Sequence, residues 1–74
     1  MPKHYDIRFA GTSNEDLIQM AQEFDILDLT GSIPKDALLR SKARTFGPPE
    51  SLTSMINASL YVFRELYYRG VSKK

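Results

Sequence analysis

The feature that most limits what this chain can fold into is residues 48–69, PPESLTSMINASLYVFRELYYR, the longest uninterrupted helical pattern in 74 residues. Leu52, Met55, Ile56, Leu60, Phe63, Leu66 and Tyr67 recur at steps of three and four, so they make one stripe along a helix. That stripe is expected to face the core, with Val62 widening one flank. Ala58, Tyr61 and Tyr68 fall towards the opposite side, where Asn57, Arg64 and Glu65 supply the polarity of a solvated face. On this reading a Leu60→Asp change unfolds the protein, and Tyr61 and Tyr68 form an outer pair that invites a partner. Pro48 and Pro49 suit a first helical turn, where a missing N–H costs nothing, and Ser51 is an alternative N-cap. Gly70 fits the position just past the last turn, with 71–74 as a basic tail.

A chain of this length is one domain, and a domain so small buries only about 60% of the surface that its unfolded chain exposes. Self-association is a common remedy for so thin a core. There is no cysteine, so disulfides and thiolate metal sites are excluded and a reducing compartment fits. The single histidine, His4, cannot build a metal site alone. No apolar run approaches the ~20 residues needed to span a bilayer, and the start MPKHYDIRF lacks an apolar leader core. These features point to a cytoplasmic protein with no membrane partner.

Charge is segregated along the chain. Residues 1–34 carry two basic against six acidic side chains, a net −4, whereas 35–74 carry eight against three, a net +5. Such halves suit either internal or intersubunit complementarity, or a basic surface for an anionic partner.

In chain order, Tyr5, Ile7 and Phe9 alternate with His4, Asp6 and Arg8, the period of a half-buried strand near 4–10. Gly11 ends it. Thr12 and Glu15 stand at capping-box spacing, and Leu17, Met20, Ala21 and Phe24 then mark a helix near 13–24 whose pattern decays at Asp25. Leu27, Leu29 and Ile33 alternate with Asp28, Thr30 and Ser32, which suggests a second short strand near 27–33 with Gly31 as a bulge. Pro34 fits a first helical position, so a helix near 34–46 follows, carrying Lys35, Arg40, Lys42 and Arg44. Gly47 and the two prolines turn the chain into the last helix, near 49–69. The expected fold class is α+β, mostly helical.

Chemistry-bearing patterns are few. His4 and Asp6 share one face of the expected first strand, but side chains so near a terminus face water. Glu15, Asp16, Glu23, Asp25 and Asp28 lack the spacing of a calcium loop and are better explained by the helix dipole and solvation. The four glycines never cluster, so neither a dinucleotide fingerprint nor a phosphate loop exists. No catalytic residue and no cofactor is expected. The basic helix, followed by Ser51, Thr53 and Ser54 at a helix start, is the best functional signal: lysine and arginine neutralise phosphates, and free amides at a helix N-terminus bind the same anion.

From Ile33 onward the sequence resembles the ribbon-helix-helix repressors and antitoxins. The matching parts are the run Ile33, Pro34, Lys35, Asp36, Ala37, Leu38 and Leu39, then Gly47, then Ser51 to Ile56 followed by Ser59 and Leu60. The resemblance covers about 27–69 and rests on short motifs. It implies a homodimer whose paired strands enter the major groove of duplex DNA, with outward strand residues at Asp28, Thr30 and Ser32 and a phosphate cap at Ser51. Asp28 and Gly31 depart from that pattern, since a carboxylate in the groove accepts only from cytosine. In this scheme residues 1–26 are a strand-helix extension and 27–70 the ribbon-helix-helix-like unit.

Two functions follow as expectations. The first is a dimeric DNA-binding regulator of transcription, with Thr30, Ser32, Lys35, Arg40, Lys42, Arg44 and Ser51 on DNA and Leu60, Tyr61, Phe63 and Tyr68 at the dimer or partner interface. The second is a small inhibitor or adaptor that docks on a larger protein through its last helix and its acidic first helix, because aromatics around an arginine compose binding hot spots. Enzyme activity is not expected.

Overall fold

The computed structural model describes residues 6–47 and 51–71. His4 and Tyr5 of the expected first strand, Pro48 and Pro49 of the last helix's first turn, and 72–74 of the basic tail lie outside the described residues. Among the described residues there are three α-helices and no strand: α1 (Asn14–Thr30), α2 (Leu38–Ala43) and α3 (Leu52–Arg69), preceded by one 3-10 turn at Ile7–Phe9. Each helix packs against both others. The fold is helical, which corrects the expected α+β class.

The strand expected near 27–33 is instead the last third of α1 and the loop after it. The apolar stripe of Leu17, Met20, Ala21 and Phe24 does not stop at Asp25 but reaches Leu27, which is buried, while Leu29 is 83% exposed. The two leucines therefore point opposite ways, and their spacing of two had imitated a strand. Gly31 then stops the helix: at φ +83° it takes the left-handed conformation, and its N–H donates to the Leu27 carbonyl at 2.7 Å. At the other end the N-cap is Ser13, one residue after the threonine of the expected capping box, and its Oγ accepts from the Asp16 amide. With 27–30 helical, the ribbon on which the ribbon-helix-helix resemblance depends does not form.

The first expected strand fails for a local reason. The Asp6 carboxylate accepts from the Arg8 amide at 2.9 Å, which curls the chain into a turn that a strand cannot contain. Ile7 is consequently 73% exposed, whereas Phe9 is wholly buried against Phe46. The segment is a strap across the helices. Lys42 Nζ holds it by donating to the Arg8 carbonyl at 2.8 Å.

α2 is shorter than the helix expected over 34–46. The Pro34 carbonyl accepts from the Ala37 amide in a separate turn, Ala37 is extended, and the helix starts at Leu38 without a side-chain cap of its own. Its cap comes from α1. Glu23, mostly buried, accepts from the Leu38 amide with Oε2 at 3.2 Å and from the Leu39 amide with Oε1 at 2.8 Å. A carboxylate there satisfies two orphan donors and meets the positive end of the helix. Gln19 Nε2 steadies it at 3.2 Å.

α3 begins with Ser51 as N-cap, the alternative to the expected start near 49, with its Oγ accepting from the Ser54 amide, and it ends at Gly70 in the left-handed conformation as expected. Its rotation is not the expected one. The buried face is Ser54, Met55, Ala58, Ser59, Val62, Glu65 and Leu66, while Leu52, Ile56, Leu60 and Tyr67 are exposed. Small side chains at 54, 58 and 59 admit close approach of the neighbouring helices, which large residues there would hold apart. Ser59 is satisfied inside, its Oγ donating to the Met55 carbonyl at 2.7 Å.

Glu65, assigned by sequence to a solvated face, is fully buried and organises the C-terminal end of α3. Its Oε1 accepts from the Asp6 amide at 3.0 Å, and its Oε2 accepts from Arg69 Nε at 2.7 Å. Arg69 also donates to the Thr12 carbonyl, to Asn14 Oδ1 and to the Phe9 carbonyl. One buried ion pair thus ties α3 to the strap and to the start of α1. Among the described residues no buried side-chain nitrogen or oxygen lacks a hydrogen-bond partner.

Candidate interaction surface

Because the core takes the Met55, Ala58, Val62 and Leu66 side of α3, the side left over is itself apolar. On a helical wheel Leu52, Ile56, Phe63 and Tyr67 all fall within about 80° of Leu60. Leu60 is 47% exposed and Tyr67 89% exposed, and Phe63 is half-buried. Single exposed hydrophobics need no explanation, but a continuous stripe of them along one face does. α1 extends the stripe sideways, since Phe24 meets Phe63 edge-on with ring centroids 5.6 Å apart.

Two open hollows lie at the ends of this face. The hollow towards the N-terminal end of α3 is lined by Phe24, Leu27, Gly31, Leu52 and Ile56, has Asp28 at its lip and encloses about 260 Å³. Towards the C-terminal end, Phe63, Arg64, Tyr67 and Tyr68 border a wider one of about 610 Å³. A carboxylate, Asp28, therefore stands at one end and a guanidinium, Arg64, at the other, with Leu60 between.

Of the residues expected at a partner interface, Leu60, Phe63 and Tyr68 border this face. Tyr61 is half-buried in a stack: its ring lies 5.0 Å from that of Phe46, with the Arg8 guanidinium 3.8 Å from the Phe46 centroid and 4.9 Å from that of Tyr61. Arg64 covers the same tyrosine at 5.2 Å. The pKa of Arg8 is raised, chiefly by its hydrogen bond to Asp6 with burial opposing, so Arg8 meets the stack as a guanidinium paired with the Asp6 carboxylate. The sequence pattern turned Leu52, Ile56 and Tyr67 inward with Phe24 on the core stripe of the first helix, and placed Leu27 and Asp28 in a strand at what is the end of α1. The legible signal was that α3 is apolar on more than one side.

The residues expected on DNA are not gathered on one face by a strand. Thr30 is in the last turn of α1, where its Oγ1 lies 2.8 Å from the Ile26 carbonyl, and Ser32 and Lys35 are exposed in the loop before α2. Arg40 folds back, with Nε 2.9 Å from the Pro34 carbonyl and Nη2 2.9 Å from that of Ile33. Lys42 is occupied by the Arg8 carbonyl and lies 5.1 Å from the Phe9 ring centroid. Arg44 is exposed just after α2, and Ser51 is committed as a cap.

Among the described residues no group of three or more histidine, cysteine, aspartate or glutamate side chains is placed to hold a metal ion, and no helix is long and apolar enough to cross a membrane. No protein-family model matches the chain, and neither curated proteins nor solved structures give a match.

Proposed function

We propose that this protein is a helical protein-interaction module that docks through the outer face of α3 and the adjoining end of α1. The observation that carries the reading is the line Leu52, Ile56, Leu60, Phe63 and Tyr67, an apolar stripe left outside a core that α3 already fills from its other side. A helix that presents apolar anchors at steps of three and four is the usual donor in helix-to-groove recognition. Aromatic residues beside an arginine, as at Phe63, Arg64, Tyr67 and Tyr68, compose the centre of many such interfaces. The engagement of Arg40 and Lys42 with the chain's own carbonyls favours this reading over the binding of duplex DNA.

Site-specific photo-crosslinking tests it. A photoreactive phenylalanine analogue is placed at position 67, and separately at exposed position 22, in the cells that make the protein. Discrete protein adducts are expected from position 67 and none from position 22. Adducts to nucleic acid, or the same adducts from both positions, refute the reading. A duplex-DNA titration tests its rival directly, since binding through phosphates falls steeply with added salt.

A further inference from the structure

We infer that the partner for this face is a second copy of the same chain, joined by a two-fold axis that runs α3 antiparallel to its counterpart with Leu60 at the centre. The inference rests on the proposed docking role of α3 and names its occupant.

The two ends of the outer face are complementary to one another. At one end the Tyr67 ring, 89% exposed, stands beside Arg64 on the border of the wider hollow. At the other lies an apolar hollow of about 260 Å³ with a carboxylate, Asp28, at its lip. A surface that carries both an exposed aromatic ring and an apolar hollow suits an isologous contact, because each feature of one copy must meet its complement on the other. Leu60 lies midway in sequence between Leu52 and Tyr68, and midway between Ile56 and Arg64. A two-fold axis through Leu60 therefore sets each Tyr67 against the partner copy's Leu52 and Ile56. There the ring is buried among apolar side chains, and its hydroxyl reaches the hollow's rim as a donor to the carboxylate. An aromatic anchor in an apolar pocket with a polar tip satisfied is the commonest hot-spot arrangement.

Charge fixes the direction of pairing. Arg64 and the level of Asp28 are separated by about 18 Å along α3, at 1.5 Å per residue from Leu52 to Arg64. A parallel pair sets acidic end on acidic end and basic on basic. An antiparallel pair sets each basic end over an acidic one, which suppresses the wrong register.

The test is a charge complementation read as molar mass by sedimentation equilibrium over a wide concentration range. The wild-type chain is expected to rise with concentration from 8.4 kDa towards twice that mass. Tyr67→Glu places a carboxylate against the partner copy's Asp28 at both symmetric sites, so its self-association weakens by about tenfold or more. Adding Asp28→Lys restores it, both within the double variant and when a Tyr67→Glu chain is mixed with an Asp28→Lys chain. Both positions are exposed, so far-ultraviolet circular dichroism should report an unchanged helix content in every variant. A wild-type chain that stays at 8.4 kDa throughout overturns the inference, as does a double variant or mixture that remains as weak as Tyr67→Glu alone. Crosslinks from position 67 to foreign proteins by a monomeric chain would overturn the second copy and leave the docking role standing; the absence of any protein crosslink would remove both.

Discussion

Replacing Glu65 by alanine should cost this protein a large part of its stability, although the residue was assigned by its sequence pattern to the solvated face. Its side chain is wholly buried, and its two oxygens hold the Asp6 amide and Arg69 Nε at 3.0 and 2.7 Å. Truncation leaves the Arg69 guanidinium, whose side chain is only 16% exposed, beside a cavity without its counter-charge. Breaking one partner out of a buried pair costs about 3 to 5 kcal/mol. A chain of this length has about 4 to 11 kcal/mol in total, at 0.05–0.15 kcal/mol per residue. With a urea slope of about 1 kcal/mol/M, the unfolding midpoint should fall by about 3 to 5 M, which brings the variant close to unfolding in buffer. Glu65→Met with Arg69→Met together should lose less than the sum of the two single changes, because neither charge is then stranded. A midpoint shift under about 1 M for Glu65→Ala, or strict additivity in the cycle, refutes the reasoning.

The cap that α1 lends to α2 predicts that Glu23→Ala costs about 1 to 3 kcal/mol and accelerates hydrogen exchange at the Leu38 and Leu39 amides; unchanged protection there would contradict it. Gly47, at φ +156°, would bring an alanine Cβ to 2.7 Å from Ser54 Oγ. Gly47→Ala should therefore destabilise by about 1 to 3 kcal/mol, and Ser54→Ala in the same chain should recover part of the loss in a urea melt. Lys42→Met removes the donor that holds the strap at the Arg8 carbonyl, so proteolysis within 6–12 should speed up with little change in the global midpoint.

Helix ends were legible because their chemistry is local. Gly70 caps α3 where the sequence put it, Ser51 takes the N-cap that the sequence offered as the alternative to a start near 49, and Gly31 bounds α1 as a left-handed stop in place of the expected bulge. The strands were misread because a period of two also occurs on a helix between an inward and an outward residue. Leu27 and Leu29 are such a pair, and only the buried continuation from Phe24 to Leu27 distinguishes the two periods. The core face of α3 was misread for another reason. Size and hydrophobicity favoured the Leu52, Ile56, Leu60 and Tyr67 side, whereas tight packing against two neighbours selected the small residues Ser54, Ala58 and Ser59. The burial of Glu23 and Glu65 could not be found from sequence, since the backbone amides that each accepts from are supplied by segments distant along the chain.

Everything proposed for the outer face depends on how α3 is turned. Val62 is fully buried and Leu60, two residues away, is 47% exposed. The decisive measurement is the urea unfolding midpoint of Leu60→Asp beside that of Val62→Asp. A carboxylate at 62 enters the core unpaired and should cost more than about 4 kcal/mol, enough to unfold the chain. At 60 it meets solvent, and the folded monomer should hold its stability to within about 1 kcal/mol. A Leu60→Asp chain that unfolds as Val62→Asp does would return Leu60 to the core and remove the docking surface.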